Sequence, residues 1–224
     1  MAETPFTGDR KVPLRSPLAS LEKWIIERYV NRFPRWIEGY HLTLVTILWS
    51  GGVVLFGYLA QFNLHWLWAS SAMFAGQWFT DSFDGALGRL RDTGIPKWGF
   101  YMDHLLDFVF MWCAPIGYVF LVDDRTAALL FVFAFIYSAM NVNAFLAFGA
   151  TGALKITYLG LGPTEIRLVY IAVNALVVFL GPGILETAMP YAVALSGFLL
   201  LVIVFRTQRR IWAADMAARQ PPSG

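Results

Sequence analysis

Residues 81–107 read DSFDGALGRLRDTGIPKWGFYMDHLLD, and they join two stretches suited to crossing a bilayer. Residues 42–80 contain no Asp, Glu, Lys or Arg, and neither do residues 108–122. A helix needs about 20 mostly apolar residues to cross a hydrocarbon core about 30 Å thick. The quoted stretch therefore carries carboxylates into two spans, Asp81 and Asp84 into the first and Asp103 and Asp107 into the second. A carboxylate at membrane depth costs about 2.5–3.5 kcal/mol on insertion scales, so such residues normally face an interior site and mark function.

Working outward, residues 126–154, 168–185 and 187–205 are also free of charge. Of the 224 residues, 58% are hydrophobic and only 14% are charged, against about 25% in an ordinary soluble domain. Mean hydropathy is +0.56. This excludes most soluble globular folds. Disorder is excluded by the 17% aromatic content and the apolar runs, and a disulfide scaffold by the single cysteine, Cys113. The expected fold is an all-α integral membrane protein with six transmembrane helices near 41–61, 64–90, 98–122, 126–149, 164–183 and 188–207. The breaks between them fall at Gln61-Phe62-Asn63, the 90–97 turn, Asp123-Asp124, Gly160-Leu161-Gly162-Pro163 and Gly181-Pro182-Gly183.

Residues 1–40 form a polar N-terminal segment, 41–208 the transmembrane catalytic domain and 209–224 a tail whose last residues, Gln220 to Gly224, are expected to fray. Within the first segment, Leu18, Leu21, Trp24, Ile25, Tyr29 and Phe33 recur at helical spacing, with Glu22, Lys23, Glu27, Arg28 and Arg32 between them. That pattern predicts an amphipathic helix lying in the headgroup layer, the alternative being a helix packed on the bundle. The polar opening argues against a cleavable signal peptide.

Basic residues set the orientation. Arg10, Lys11, Arg15, Lys23, Arg28, Arg32 and Arg35 precede the first span. Arg89, Arg91, Lys97, Lys155, Arg167, Arg206, Arg209, Arg210 and Arg219 fall on the same side, leaving only Arg125 opposite. The positive-inside rule makes the rich side cytoplasmic, with both termini and the Asp residues facing it. The bacterial inner membrane is the expected location.

Spacing gathers the acids. Asp81 and Asp84 are i, i+3 and Asp103 and Asp107 are i, i+4, so each pair shares a helix face. A short connection makes the helices antiparallel neighbours whose faces can meet. Four clustered carboxylates repel one another, and nearby Arg and Lys are too few to neutralise them. Oxygen ligands without His or Cys suit hard ions such as Mg²⁺, Mn²⁺ or Ca²⁺. Mg²⁺ so held normally completes its shell with phosphate oxygens and water, which predicts a phosphate-bearing substrate. Gly85 and Gly88 follow on the acidic face and Gly99 precedes Asp103 by one turn, allowing close approach of a ligand to backbone. Arg89 is placed to contact a phosphate.

Written as Asp81-x-x-Asp84-Gly85-x-x-Gly88-Arg89, nine residues, then Gly99-x-x-x-Asp103-x-x-x-Asp107, the stretch resembles the signature of the CDP-alcohol phosphotransferase family, D-x2-D-G-x2-A-R-x8-G-x3-D-x3-D. Gly88 replaces the usual Ala and the spacer is one residue longer. The family's Pro-Asn-x-x-Thr motif opening the first span is altered here to Glu38-Gly39-Tyr40-His41-Leu42-Thr43. The resemblance implies displacement of CMP from a CDP-linked donor by an alcohol, assisted by Mg²⁺ or Mn²⁺, two ions in all. It implies Asp81, Asp84, Asp103 and Asp107 as metal ligands, with Asp107 also the candidate base. It places Thr43, Gly85, Gly88, Arg89 and Gly99 at the nucleotide, and it implies a homodimer in membrane lipid with no nucleic-acid partner.

The family works in two polarities. One transfers a phosphatidyl group from CDP-diacylglycerol to a small polar alcohol. The other transfers a phospho-alcohol from CDP-choline or CDP-ethanolamine to a lipid hydroxyl. The Asp103-His104 pair and the Gly162-Pro163-Thr164-Glu165 stretch are similar to features of eukaryotic choline and ethanolamine phosphotransferases, and they lean the reading to the second, with His104 and Glu165 as a base dyad. A cation or proton transporter is the distant alternative. It is disfavoured because the acids cluster near one surface and no internal repeat exists.

Overall fold

The computed structural model describes residues 18–152 and 162–219. Arg10, Lys11, Arg15 and Lys155, part of the turn expected at 160–163 and the tail 220–224 lie outside them. The described residues form helices throughout: α1 (Ala19–Tyr29), a short 3₁₀ turn (Val30–Arg32), α2 (Gly39–Ala60), α3 (Trp66–Arg91), α4 (Pro96–Val119), α5 (Asp124–Thr151), α6 (Pro163–Leu180) and α7 (Gly183–Ala218).

Four of these, α2, α5, α6 and α7, are long and apolar enough to cross a membrane. The two helices that carry the quartet are not in that set. Ser70, Ser71, Gln77 and Thr80 add polarity to α3 beside its acids, and α4 carries Lys97 as well as Asp103 and Asp107. The last helix also exceeds its expected span. At about 1.5 Å per residue its 36 residues extend about 54 Å, well beyond a hydrocarbon core of about 30 Å.

Local chemistry sets the ends. Asp123 caps α5 by accepting from the Thr126 backbone N–H at 2.8 Å, and Gly152 ends that helix at a φ of +68°, the usual use of glycine at a helix C-terminus. Pro96 and Pro163 open α4 and α6 from the first turn, where no N–H is missed.

The bundle is built on α2, which packs against both α3 and α4, while α6 packs on α3 and α7 on α5. At the crossing of α2 and α4, a Cβ on Gly57 would lie 2.5 Å from the Gly117 Cα, so the two backbones approach as only small residues allow. A central core of Val53, Phe74, Phe110, Met111, Cys113 and Ala114 lies beneath the acidic end, and Tyr170 stacks on Phe74. Toward the opposite end, the buried Tyr118 hydroxyl donates to Asn174 Oδ1 at 2.7 Å, and Asn174 Nδ2 donates to Ser71 Oγ at 3.0 Å. These interhelical bonds tie α3, α4 and α6 together.

The apolar surface of α1 is divided. Ile25, Ile26, Val30 and Phe33 pack with Leu42, Phe83 and Leu87 of the bundle, while Leu21 and Trp24 are exposed. Glu22 fastens the helix in place, accepting from Ser82 of α3 at 3.3 Å and Thr164 of α6 at 2.8 Å. Arg91, which the sequence places among simple cytoplasmic charges, has a structural task. Its guanidinium donates to the carbonyls of Phe33, Pro34, Arg35 and Ile37 and pairs with Glu38, holding the α1–α2 linker against the end of α3.

Candidate active site

Asp81 and Asp84 lie in the final three turns of α3, and Asp103 and Asp107 in the first three turns of α4. The connection reverses at Asp92, whose φ of 55° is left-handed, a conformation that Asp tolerates through its short polar side chain. Oxygens of Asp81, Asp103 and Asp107 come within 4.8 Å of one another. Asp84 stands beside this trio rather than in it. Its carboxylate accepts from Thr43 Oγ1 at 2.6 Å and from the Gly85 N–H.

Arg167 enters from α6, expected at the cytoplasmic edge but in fact buried between two of the acids. Its Nη2 lies 2.9 Å from Asp81 Oδ2 and 3.1 Å from Asp107 Oδ1. The same Asp107 oxygen accepts from Gln77 Nε2 at 2.8 Å. Side-chain exposure falls from 34% for Asp103 and 30% for Asp107 to 4% for Arg167. The carboxylates thus face the cleft, and the guanidinium backs them from the protein side. One guanidinium against three carboxylates leaves two negative charges, so the expected shortage of local cations holds in part.

The donor set fits a hard divalent ion. It is all oxygen, and opposite ligands of one Mg²⁺ are about 4.2 Å apart, so a small closure of the 4.8 Å cluster would bring three carboxylates onto a metal.

The other candidates are distributed around this cluster. Gly85 and Arg89 are exposed together at the end of α3, where a Cβ on Gly85 would lie 3.2 Å from the Arg89 guanidinium. Gly88 is buried against the turn. Its carbonyl accepts from the Thr93 N–H at 3.2 Å, and a Cβ there would touch Gly94. Gly99 faces open space. His104 Nδ1 lies 2.7 Å from the Phe100 carbonyl and 3.6 Å from Asp103 Oδ2, with its ring against Phe100 and Phe145. Glu165 Oε2 accepts from the Gly162 N–H at 2.8 Å, the reciprocal half of a helix cap.

Gln77 was not singled out from the sequence, yet it is fully buried and bonded to Asp107. The signal was available. Gln77 precedes Asp81 by four and Asp84 by seven residues, on the same helix face as both. Gly39 was likewise missed, because the close approach it permits is to a carbonyl of another helix.

Fold and site together define an all-helical membrane protein with a carboxylate cluster at one end of its bundle. The sequence model of the CDP-alcohol phosphatidyltransferase family matches residues 40–206, from the start of α2 into α7, and the chain belongs to that family, whose members are transferases of substituted phosphate groups. Membership implies a CDP-linked donor, an alcohol acceptor and release of CMP, in a family that is generally metal-dependent. No curated protein and no solved structure matches the chain significantly.

Proposed function

We propose that the enzyme transfers a phosphatidyl group from CDP-diacylglycerol to a small polar alcohol, with CMP as the other product. The placement of Asp107 carries this reading. It belongs to the acidic cluster, and Gln77 and Arg167 hold its Oδ1. The two members of the expected dyad have partners of their own, His104 at the Phe100 carbonyl and Glu165 in the α6 cap. Asp107, with its side chain 30% exposed, is open to a small alcohol that enters the cleft.

In this scheme the acceptor hydroxyl loses its proton to the Asp107 carboxylate as its oxygen bonds to phosphorus. The bond from phosphorus to the CMP oxygen breaks, and CMP departs with that electron pair. Gln77 and Arg167 keep the Asp107 carboxylate oriented. Thr43 holds Asp84 at the edge of the cluster, and Gly85 and Arg89 meet the cytidine end at the exposed mouth. Mg²⁺ or Mn²⁺ held by Asp81, Asp84, Asp103 and Asp107 would neutralise the pyrophosphate and the leaving CMP.

One observation favours the opposite polarity. The Phe100 carbonyl on His104 Nδ1 selects the tautomer with a basic Nε2, suited to taking a proton from a lipid hydroxyl. Incubating the purified protein with lipid extract and CMP, then identifying the CDP-compound formed, separates the two. CDP-diacylglycerol is expected, with Asp107→Asn reducing turnover by about 10²–10⁴-fold and His104→Gln by much less. CDP-choline or CDP-ethanolamine, with His104→Gln as damaging as Asp107→Asn, would overturn the assignment. Chelator should abolish turnover.

On the same reading all six long helices cross the bacterial inner membrane, α1 lies in the cytoplasmic headgroup layer through Leu21 and Trp24, and the mouth opens to the cytoplasm. The basic-residue bias supports this orientation. Pairing of two copies rests on the family likeness alone. Thiol labelling of cysteines placed at 92–95 in a Cys113→Ala background, from each side of the membrane, tests the orientation.

A further inference from the structure

We propose that Arg167 is a built-in counter-ion of the acidic cluster, which holds Asp81 and Asp107 together before metal arrives and competes with the arriving ions for their oxygens. The inference rests on the reading that the cluster takes divalent cations. A single nitrogen, Nη2, bridges Asp81 Oδ2 and Asp107 Oδ1 at 2.9 and 3.1 Å. These carboxylates belong to the only such cluster among the described residues that could ligate an ion. A cation from the cleft that takes either of these oxygens therefore shares it with the guanidinium.

The surroundings make the guanidinium a resident with limited alternatives. The Arg167 side chain is 4% exposed, so it cannot turn to bulk water. Its Nε is buried with no hydrogen-bond partner, and so is Gln77 Oε1. Arg167 thus depends on the two carboxylates for its charge pairing, and they depend on it for theirs. Without it three carboxylates within 4.8 Å face one another unscreened. With it, an incoming ion must first weaken two charge-assisted bonds.

This makes Arg167 a positioning residue with opposite effects on two measurable quantities. Removing the positive charge should destabilise the ion-free protein and tighten ion binding. The test is Mn²⁺ binding to the purified full-length protein by electron paramagnetic resonance, without nucleotide, beside thermal unfolding in EDTA and in Mn²⁺. Arg167→Gln should bind Mn²⁺ at least about tenfold more tightly, since a unit charge a few ångströms away is worth that much even at high effective dielectric. Its unfolding temperature should drop in EDTA and recover in Mn²⁺. Arg167→Lys, which keeps the charge, should bind Mn²⁺ close to wild type.

Should Arg167→Gln prove too unstable to isolate in EDTA, the double variant Asp81→Asn, Arg167→Gln removes one charge of each sign, and its recovery of stability would support the proposal. Failure of the double variant to regain stability, or Mn²⁺ affinity in Arg167→Gln that is unchanged or weaker, would overturn it. If the wild type itself binds no Mn²⁺, the metal reading fails first. If the wild type binds Mn²⁺ and only the tightening is missing, the counter-ion role alone is refuted.

Discussion

Gly39 is a position where one added methyl group should disturb both the packing and the acidic end. It opens α2, and a Cβ built on it would lie 2.5 Å from the Asp84 carbonyl oxygen, 3.4 Å from its carbon and 3.5 Å from the Gly88 nitrogen. Ordinary contact begins near 3.4 Å, which leaves Gly39→Ala roughly 0.9 Å short. Every atom concerned is helix backbone, so no side chain can swing aside. The start of α2 and the end of α3 must part by most of that distance.

Two consequences follow from the geometry. Overpacking of this kind costs about 1–3 kcal/mol. The bond from Thr43 to Asp84, now 2.6 Å, would stretch to about 3.5 Å, past the hydrogen-bonding range. A shift of about 1 Å in a catalytic group typically lowers rates by about 10²-fold. Gly51→Ala is the control, an α2 glycine with nothing within 4 Å of the added carbon. Unfolding temperature in detergent and CMP release should both fall for Gly39→Ala and hold for Gly51→Ala. Wild-type stability and turnover in Gly39→Ala would refute the claim that this backbone contact positions the acidic end.

Three further outcomes are expected. Thr43→Val keeps the side-chain shape but removes the donor to Asp84, so stability should fall by about 1.5–3 kcal/mol, the worth of a bond to a charged group, and CMP release should fall with it, by about tenfold. Tyr118→Phe leaves the buried Asn174 Oδ1 short of its 2.7 Å partner and should lower stability by about 1–3 kcal/mol without touching the acidic cluster, a shift that calorimetry in detergent would detect. At the cap of α5, hydrogen bonds from Thr126 hold the Asp123 carboxyl below its ordinary value. That stabilisation is present above the unfolded-state pKa of about 3.9 and is lost as pH falls through the folded value, so the deficit of Asp123→Ala should be constant between pH 5 and 8 and close in stronger acid.

Much of this protein was legible in one dimension because the membrane imposes a one-dimensional rule. Charge-free runs located most of the helices, and breaks such as Gln61-Phe62-Asn63 and Gly181-Pro182 fall between α2 and α3 and between α6 and α7. The acids were legible because charge in an apolar run is costly and helical spacing says which residues share a face. Asp81, Asp103 and Asp107 meet accordingly.

What the linear pattern could not supply was partners that arrive from other helices. Arg167 reads as a positive residue at a helix start, which has an ordinary topological explanation and at most suggests a contact with substrate phosphates. Only the packing of α6 on α3 brings it between Asp81 and Asp107. Arg91 reads the same way and instead binds four carbonyls of a linker more than fifty residues earlier. Asp84 shares a face with Asp81 yet bonds to Thr43, because α2 closes on α3 at Gly39. Composition and periodicity determine which segments are helices and which face of each is polar, since those follow from local geometry and from the solvent. Which polar group answers which depends on helix crossings, and these are settled by the fit of small residues such as Gly39, Gly57 and Gly117 in three dimensions.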